Sequence, residues 1–164
     1  MIQPSGRNFD IRHELRPGDL GMVIHLHGVL YAREYGLDTS FEPYVAKPLA
    51  DFAMSGAGRL WIAEGDGRVV GSIAVVDAED GVGQLRWFLL APEARGAGLG
   101  RRLLETALAY CRDRGMRHVF LWSFAQLGDA LRLYERAGFQ VTETNKAHLW
   151  GDERTEVRMD LDLD

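Results

Sequence analysis

The chain has 164 residues, 46% hydrophobic and 26% charged, proportions that suit one globular domain with a buried core and exclude a disordered or fibrous polypeptide. Its 19 basic against 24 acidic residues leave a net charge of −5, so no global field draws nucleic acid or anionic lipid and any anion site must be local. The lone cysteine, Cys111, rules out an intramolecular disulfide and a paired-cysteine zinc site; with a polar N-terminal stretch and no long apolar run, this predicts a cytoplasmic protein without a membrane span.

In chain order, residues 8–13 suit a short strand. Pro17, Gly18 and Asp19 then lead into a helix on which Leu20, Val23, Ile24, His27 and Tyr31 recur at three- and four-residue steps, with Gly36 as its stop. A second helix spans 40–54 and carries Phe41, Val45, Leu49 and Phe52; Pro48 removes a backbone donor in its interior, which predicts a kink or break. From 59 to 90 three runs rich in Val, Ile, Trp and Phe are separated by Gly65-Asp66-Gly67 and Glu79-Asp80-Gly81, the pattern of antiparallel hairpins. Helical spacing returns over 99–115, with Leu99, Leu103, Leu104, Ala107, Leu108 and Cys111 on one face. A buried strand at 118–122, a helix at 126–137 ended by Gly138, and strands at 139–146 and 153–161 complete the chain. This order describes one α/β domain of the α+β type over 1–164, a mixed central sheet of about six or seven strands flanked by about four helices. The passage from 82 to 122 is long enough for a parallel crossover.

The chemistry concentrates between Leu89 and Arg102: a strand end, a turn, a glycine-rich loop and a helix start. Unpaired N–H groups and the positive end of the helix dipole face whatever lies before such a helix, and glycines let the backbone close on phosphate oxygens. A nucleoside triphosphate loop needs Gly-Lys followed by Ser or Thr, whereas Gly100 is followed by Arg101 and Arg102. A dinucleotide fingerprint needs wider glycine spacing than Gly96, Gly98 and Gly100, and an acid ending the next strand, which here ends Leu121-Trp122-Ser123-Phe124. A pyrophosphate without a second nucleotide to orient, as in coenzyme A, is the remaining reading.

Arg95 through Gly100, with Pro92-Glu93 before them, resemble the Arg/Gln-x-x-Gly-x-Gly/Ala signature of the GNAT superfamily of acetyl-coenzyme A dependent N-acetyltransferases. Leu133-Tyr134-Glu135-Arg136-Ala137-Gly138-Phe139 resembles that family's last helix and its Gly-Phe exit, and the element order follows the family along the whole chain. The C-terminal half is similar to acetyltransferase domains that elsewhere are fused to winged-helix regulators. The resemblance implies an enzyme that moves acetyl from acetyl-coenzyme A, its co-substrate, to a primary amine. Phe88, Leu89 and Leu90 would pair with the pantetheine arm through their backbone. Arg95, Gly96, Ala97, Gly98, Leu99, Gly100 and Arg101 would hold the pyrophosphate, and the Leu90 N–H would polarise the thioester carbonyl. Tyr134 fits the family's general acid; Leu127 stands where the family often has an Asn that contacts the coenzyme. The acceptor would be a small-molecule amine or a peptide or protein amine. Neither nucleic acid nor membrane is expected as a partner, and the resemblance implies pairing of two copies through the C-terminal strands. The alternative from another class is an acetyl-coenzyme A binding sensor or interaction module with little turnover.

His27, Tyr31 and Glu34 lie at i, i+4 and i+7 on the first helix, where family members line the acceptor pocket; the competing reading makes the first two packing residues and Glu34 surface charge. A carboxylate, a histidine or a water chain could each serve as the base. Trp87, Trp122 and Trp150 suit either an aromatic acceptor site or the filling between sheet and helices, and strict alternation sets Leu85 and Trp87 opposite Arg86 and Phe88. Cys111 reads as inert core, which favours direct transfer in a ternary complex, and His13, His118 and His148 lack the spacing of metal ligands, so no metal is expected.

Overall fold

The computed structural model describes residues 8–164. In chain order these form β1 (Asp10–Arg12), α1 (Asp19–Tyr35), α2 (Phe41–Ser55), β2 (Gly58–Gly65), β3 (Arg68–Asp77), β4 (Val82–Leu90), α3 (Leu99–Asp113), β5 (His118–Phe124), α4 (Gly128–Arg136), β6 (Gln140–Leu149) and β7 (Asp152–Asp162). The strands join in one seven-stranded sheet, order β1-β2-β3-β4-β5-β7-β6, antiparallel except between β4 and β5. The parallel pair is the one that α3 connects, as a crossover requires. None of the described helices is long and apolar enough to cross a membrane.

Each face of the sheet carries its own core. On one, Leu103, Leu104, Ala107 and Cys111 of α3 pack with Ile73, Val75, Leu85, Val119 and Leu121. On the other, Val23 of α1 and Val45, Leu49 and Phe52 of α2 pack with Leu60, Ile62, Ala74 and Trp87. The break expected at Pro48 does not occur, for α2 runs through it. An interior proline costs about 3 kcal/mol, while Phe41, Val45, Leu49 and Phe52, all buried on both sides of Pro48, contribute roughly 1.5–3 kcal/mol each by leaving water.

The helix starts and stops follow local chemistry. Asp19 opens α1, accepting the Arg16 N–H at 2.6 Å and the Arg12 guanidinium at 2.7 and 2.9 Å, which ties β1 to the helix start. The hairpin turns at Asp66-Gly67 and Asp80-Gly81 have left-handed φ at both central residues, and so does a third turn that joins β6 to β7, with Trp150 at φ 54° and Gly151 at φ 96°.

Candidate functional site

Leu85 and Leu121 are the last paired residues of β4 and β5; beyond them β4 pairs only with β3 and β5 only with β7. The divergence begins at a bulge in which Ala74 faces Arg86 and Ser72 faces Leu89, with Trp87 in the left-handed region at φ 48°. The bulge is braced from the neighbouring strand: buried Ser72 donates its hydroxyl to the Trp87 carbonyl at 2.7 Å. It also corrects the strict alternation expected from sequence. Leu85 packs in the α3 core, Trp87 in the α1–α2 core and Leu89 again in the α3 core. At the end of β4 the Ala91 N–H bonds Val70 O at 2.7 Å, so the ladder's alternation turns the N–H and C=O of Leu90 away from β3.

Past that margin the chain makes a single 3-10 turn over Pro92–Ala94 and enters the glycine loop. Gly96 and Gly98 have φ of 80° and 77°, and the space a Cβ would take beside either is open. The N–H groups from Gly96 through Arg101 meet no acceptor among the described residues, and α3 begins at Leu99 without a side-chain cap. They open on a groove of about 920 Å³, lined also by Leu90, Leu133, Arg132 and Arg136. A row of unpartnered amides at a helix N-terminus, with basic side chains around it, fits a coenzyme diphosphate.

The Arg95 guanidinium takes another course. It donates to Leu90 O at 3.1 and 2.9 Å and forks onto Glu34, one bond measuring 2.9 Å and a shorter one joining Nη1 to Oε1. This pairing holds the Glu34 carboxyl below its usual range. Glu34 is thus a partner of the glycine loop and does not line the chamber that His27 and Tyr31 share.

That chamber, about 350 Å³, occupies the cleft between the diverging strands and is walled by His27 and Tyr31 of α1, Phe41 and Tyr44 of α2, Arg86, Trp87 and Phe88 of β4, Trp122 and Phe124 of β5, Leu127, Tyr134 of α4, Trp150 and Glu156. His27 is buried and its Nδ1 lies 2.7 Å from Val23 O; a carbonyl can only accept, so Nδ1 carries the proton and Nε2 the lone pair. Burial lowers its pKa to about 4 and keeps the ring neutral. Burial likewise raises the Tyr31 and Tyr134 hydroxyls above the ordinary phenol range, for Tyr134 with a further contribution from Tyr31. The Tyr134 ring is fixed by Phe88 and Phe139 at centroid distances of 5.8 and 5.9 Å, and its carbonyl receives the Phe139 N–H at 3.1 Å. Its hydroxyl makes no hydrogen bond among the described residues.

Arg154 has no role in the sequence pattern, Arg86 enters it only as the residue opposite Trp87, and Trp150 enters it as a candidate for an aromatic acceptor site. Arg86 lies against the chamber. The Trp150 turn lies across it, ring centroids 5.0 Å from both Phe41 and Tyr44 and carbonyl bonded by the Asp38 N–H at 3.0 Å. Buried Arg154 fastens that turn by donating to Leu149 O at 3.0 Å, Tyr35 O at 3.4 Å and the Gln126 side chain. Ser72, the polar residue within the apolar run Val69–Val76, was the available signal for the bulge.

A model of the acetyltransferase (GNAT) family matches residues 29–139. The chain is 38% identical over 91 residues to a mycothiol acetyltransferase of Cellulomonas flavigena, an alignment over 49% of this chain and 26% of that protein. It is 35% identical over 111 residues to N-acetyltransferase family 8 member 2 of Rattus norvegicus, over 60% and 49% of the two chains. The matches therefore span about a quarter and about half the length of these relatives. An acetyltransferase of Salmonella typhimurium, solved with its cofactor acetyl-CoA, superposes with a TM-score of 0.72 at 22% identity over 95% of this chain and 94% of that one, a likeness of fold.

Proposed function

This chain belongs to the GNAT acetyltransferase family, and from that premise we propose that it transfers an acetyl group from acetyl-coenzyme A to a primary amine, directly, with both substrates bound at once. The observation that carries the reading is the row of unpartnered amides from Gly96 to Arg101 beside the unpaired margin of β4, with Tyr134 in the cleft beyond. Acetyl-coenzyme A supplies the activated thioester. The amides and Arg101 bind its pyrophosphate, and the margin from Phe88 through Leu90 takes the pantetheine amides as a neighbouring strand would. The Leu90 N–H, turned off β3, polarises the thioester carbonyl. Arg95 holds the other half of that peptide margin, the Leu90 carbonyl, and through Glu34 keeps α1 in register with it.

The amine lone pair attacks the thioester carbon, forming the C–N bond as the C–S bond breaks. Tyr134, kept protonated by burial, gives its proton to the departing sulfur. The nitrogen releases a proton to water, and Tyr134 regains one from solvent. His27 and Tyr31 stand on the acceptor side, where the unprotonated Nε2 of His27 can accept an N–H of the amine. Cys111 is fully buried and burial pushes its thiol up to about 11, which supports transfer without an acetylated cysteine.

Thiol release from acetyl-coenzyme A with a panel of primary amines tests the reading. Release is expected to depend on the amine, and Tyr134→Phe to lower kcat by about 100-fold or more while acetyl-coenzyme A still binds. Release indifferent to that substitution overturns the role of Tyr134, and binding without release for every amine leaves a coenzyme-binding module.

A further inference from the structure

Arginines that turn inward in this fold have partners: Arg12 binds Asp19 and Glu64, Arg95 binds Glu34 and Leu90 O, and Arg154 binds two carbonyls and an amide. Arg86 differs. It is half-buried against the acceptor chamber, its guanidinium 4.6 Å from the centre of the Trp87 ring, and among the described residues it has neither a hydrogen bond nor an ion pair. Desolvation acts against its charge, as expected of a cation held out of water without a counter-ion. A guanidinium stacked on an indole keeps its forked N–H edge free, and the group that best matches that edge is a carboxylate. Regular alternation brings it there, opposite Leu85 and still in register with β3, and the bulge that follows turns Trp87 to the same side.

The remaining walls restrict what else the ligand carries. Tyr31, Phe41, Tyr44, Phe124 and Trp150 pack on one another and together line the chamber with an aromatic wall, suited to a flat apolar group. Glu156 on β7 supplies a carboxylate to the same chamber; its Oε2 accepts from Asn145 Nδ2 at 3.1 Å, and the carboxylate offers a partner for an ammonium. A cation for a carboxylate, an anion for an ammonium and aromatic residues lining one chamber fit a zwitterion with an aromatic side chain. Protein lysines and peptide N-termini carry no carboxylate beside the amine.

We propose that the acceptor is a free aromatic amino acid, its carboxylate bound by Arg86 and its side chain lying against the aromatic wall formed by Phe41, Tyr44 and Trp150. This rests on the acetyl-transfer reading above and names the acceptor of the same site.

Two measurements test it. Thiol release is compared for L-phenylalanine and L-phenylalaninamide at equal concentrations of unprotonated amine. N-acetyl-L-phenylalanine and its amide are titrated calorimetrically into the coenzyme A-loaded protein, which needs no turnover. The acid is expected to exceed the amide by about tenfold or more in kcat/KM and in affinity, the ratio falling towards one in Arg86→Gln and staying intermediate in Arg86→Lys. Equal handling of acid and amide by the unsubstituted protein, or a preference that survives Arg86→Gln, overturns the assignment. Should no amine release thiol while the titration still ranks acid over amide through Arg86, the transfer reading fails and the carboxylate site stands.

Discussion

Burial takes His27 out of the range in which a histidine usually titrates. An unfolded chain binds a proton at His27 below pH 6.5, whereas the folded protein does not until about pH 4. His27 therefore contributes stability above pH 6.5 that is lost as pH falls towards 4, on the order of 3 kcal/mol at about 1.4 kcal/mol per unit. His118 has the opposite sign. Its bonds to Asp162 and Asp160, each 2.7 Å, raise its pKa, so its contribution is complete below pH 6.5 and fades as pH climbs through the raised value. Urea unfolding at pH 7, 5.5 and 4.5 is expected to show a shallower loss of stability in His27→Leu than in the unsubstituted protein; parallel curves would show that His27 is not the buried neutral group. The helical spacing marked His27 and Tyr31 as neighbours on one face, and they are. That Nδ1 is spent on Val23 O and the ring is held neutral follows from burial, which no spacing encodes.

Among the elements, β4 does most to shape the cleft, and one hydroxyl on β3 braces it. Ser72 and Trp87 meet across the sheet at 2.7 Å in a setting where neither group can turn to water. Removing the donor in Ser72→Ala leaves a buried carbonyl unsatisfied and should cost about 1–3 kcal/mol in denaturant unfolding. If the bulge also sets the margin that receives the coenzyme, calorimetric affinity for acetyl-coenzyme A falls in the same variant; an unchanged affinity would separate the bulge from the site. The strands are legible in the sequence because their Val, Ile, Trp and Phe content and Asp-Gly turns are local signals. The side-chain directions after Leu85 are not, because a bulge answers to the opposite strand. Pro48 teaches the same lesson from a helix: a local breaker was outweighed by apolar residues on both sides of it.

At the scale of the whole molecule, Arg154 links regions distant in sequence. Its guanidinium joins the end of α1, the β5–α4 connection and the β6–β7 hairpin, and this holds Trp150 over the chamber. Arg154→Met is expected to lower stability by about 3 kcal/mol, since three acceptors lose a charged donor. Amide exchange at Asp38, whose N–H binds Trp150 O, should quicken by about tenfold while β2 and β3 keep their protection. Uniform loss of protection across the sheet would mean that Arg154 supports the fold in general and not the hairpin over the chamber.

The order of amino acids by itself determined the succession of strands and helices, the mixed sheet, the glycine loop before α3 and the kinship of the chain, because each rests on signals that lie within a few residues of one another. Tertiary structure decided the rest. Arg95 turns to Glu34, 61 positions away. Trp87 leaves the face of Leu85, Trp150 lines the cleft, and Arg86 is left beside it without a counter-ion among the described residues. Partners this far apart in sequence meet through the packing of helices on a twisted sheet, and that packing also sets which charges keep water and which lose it.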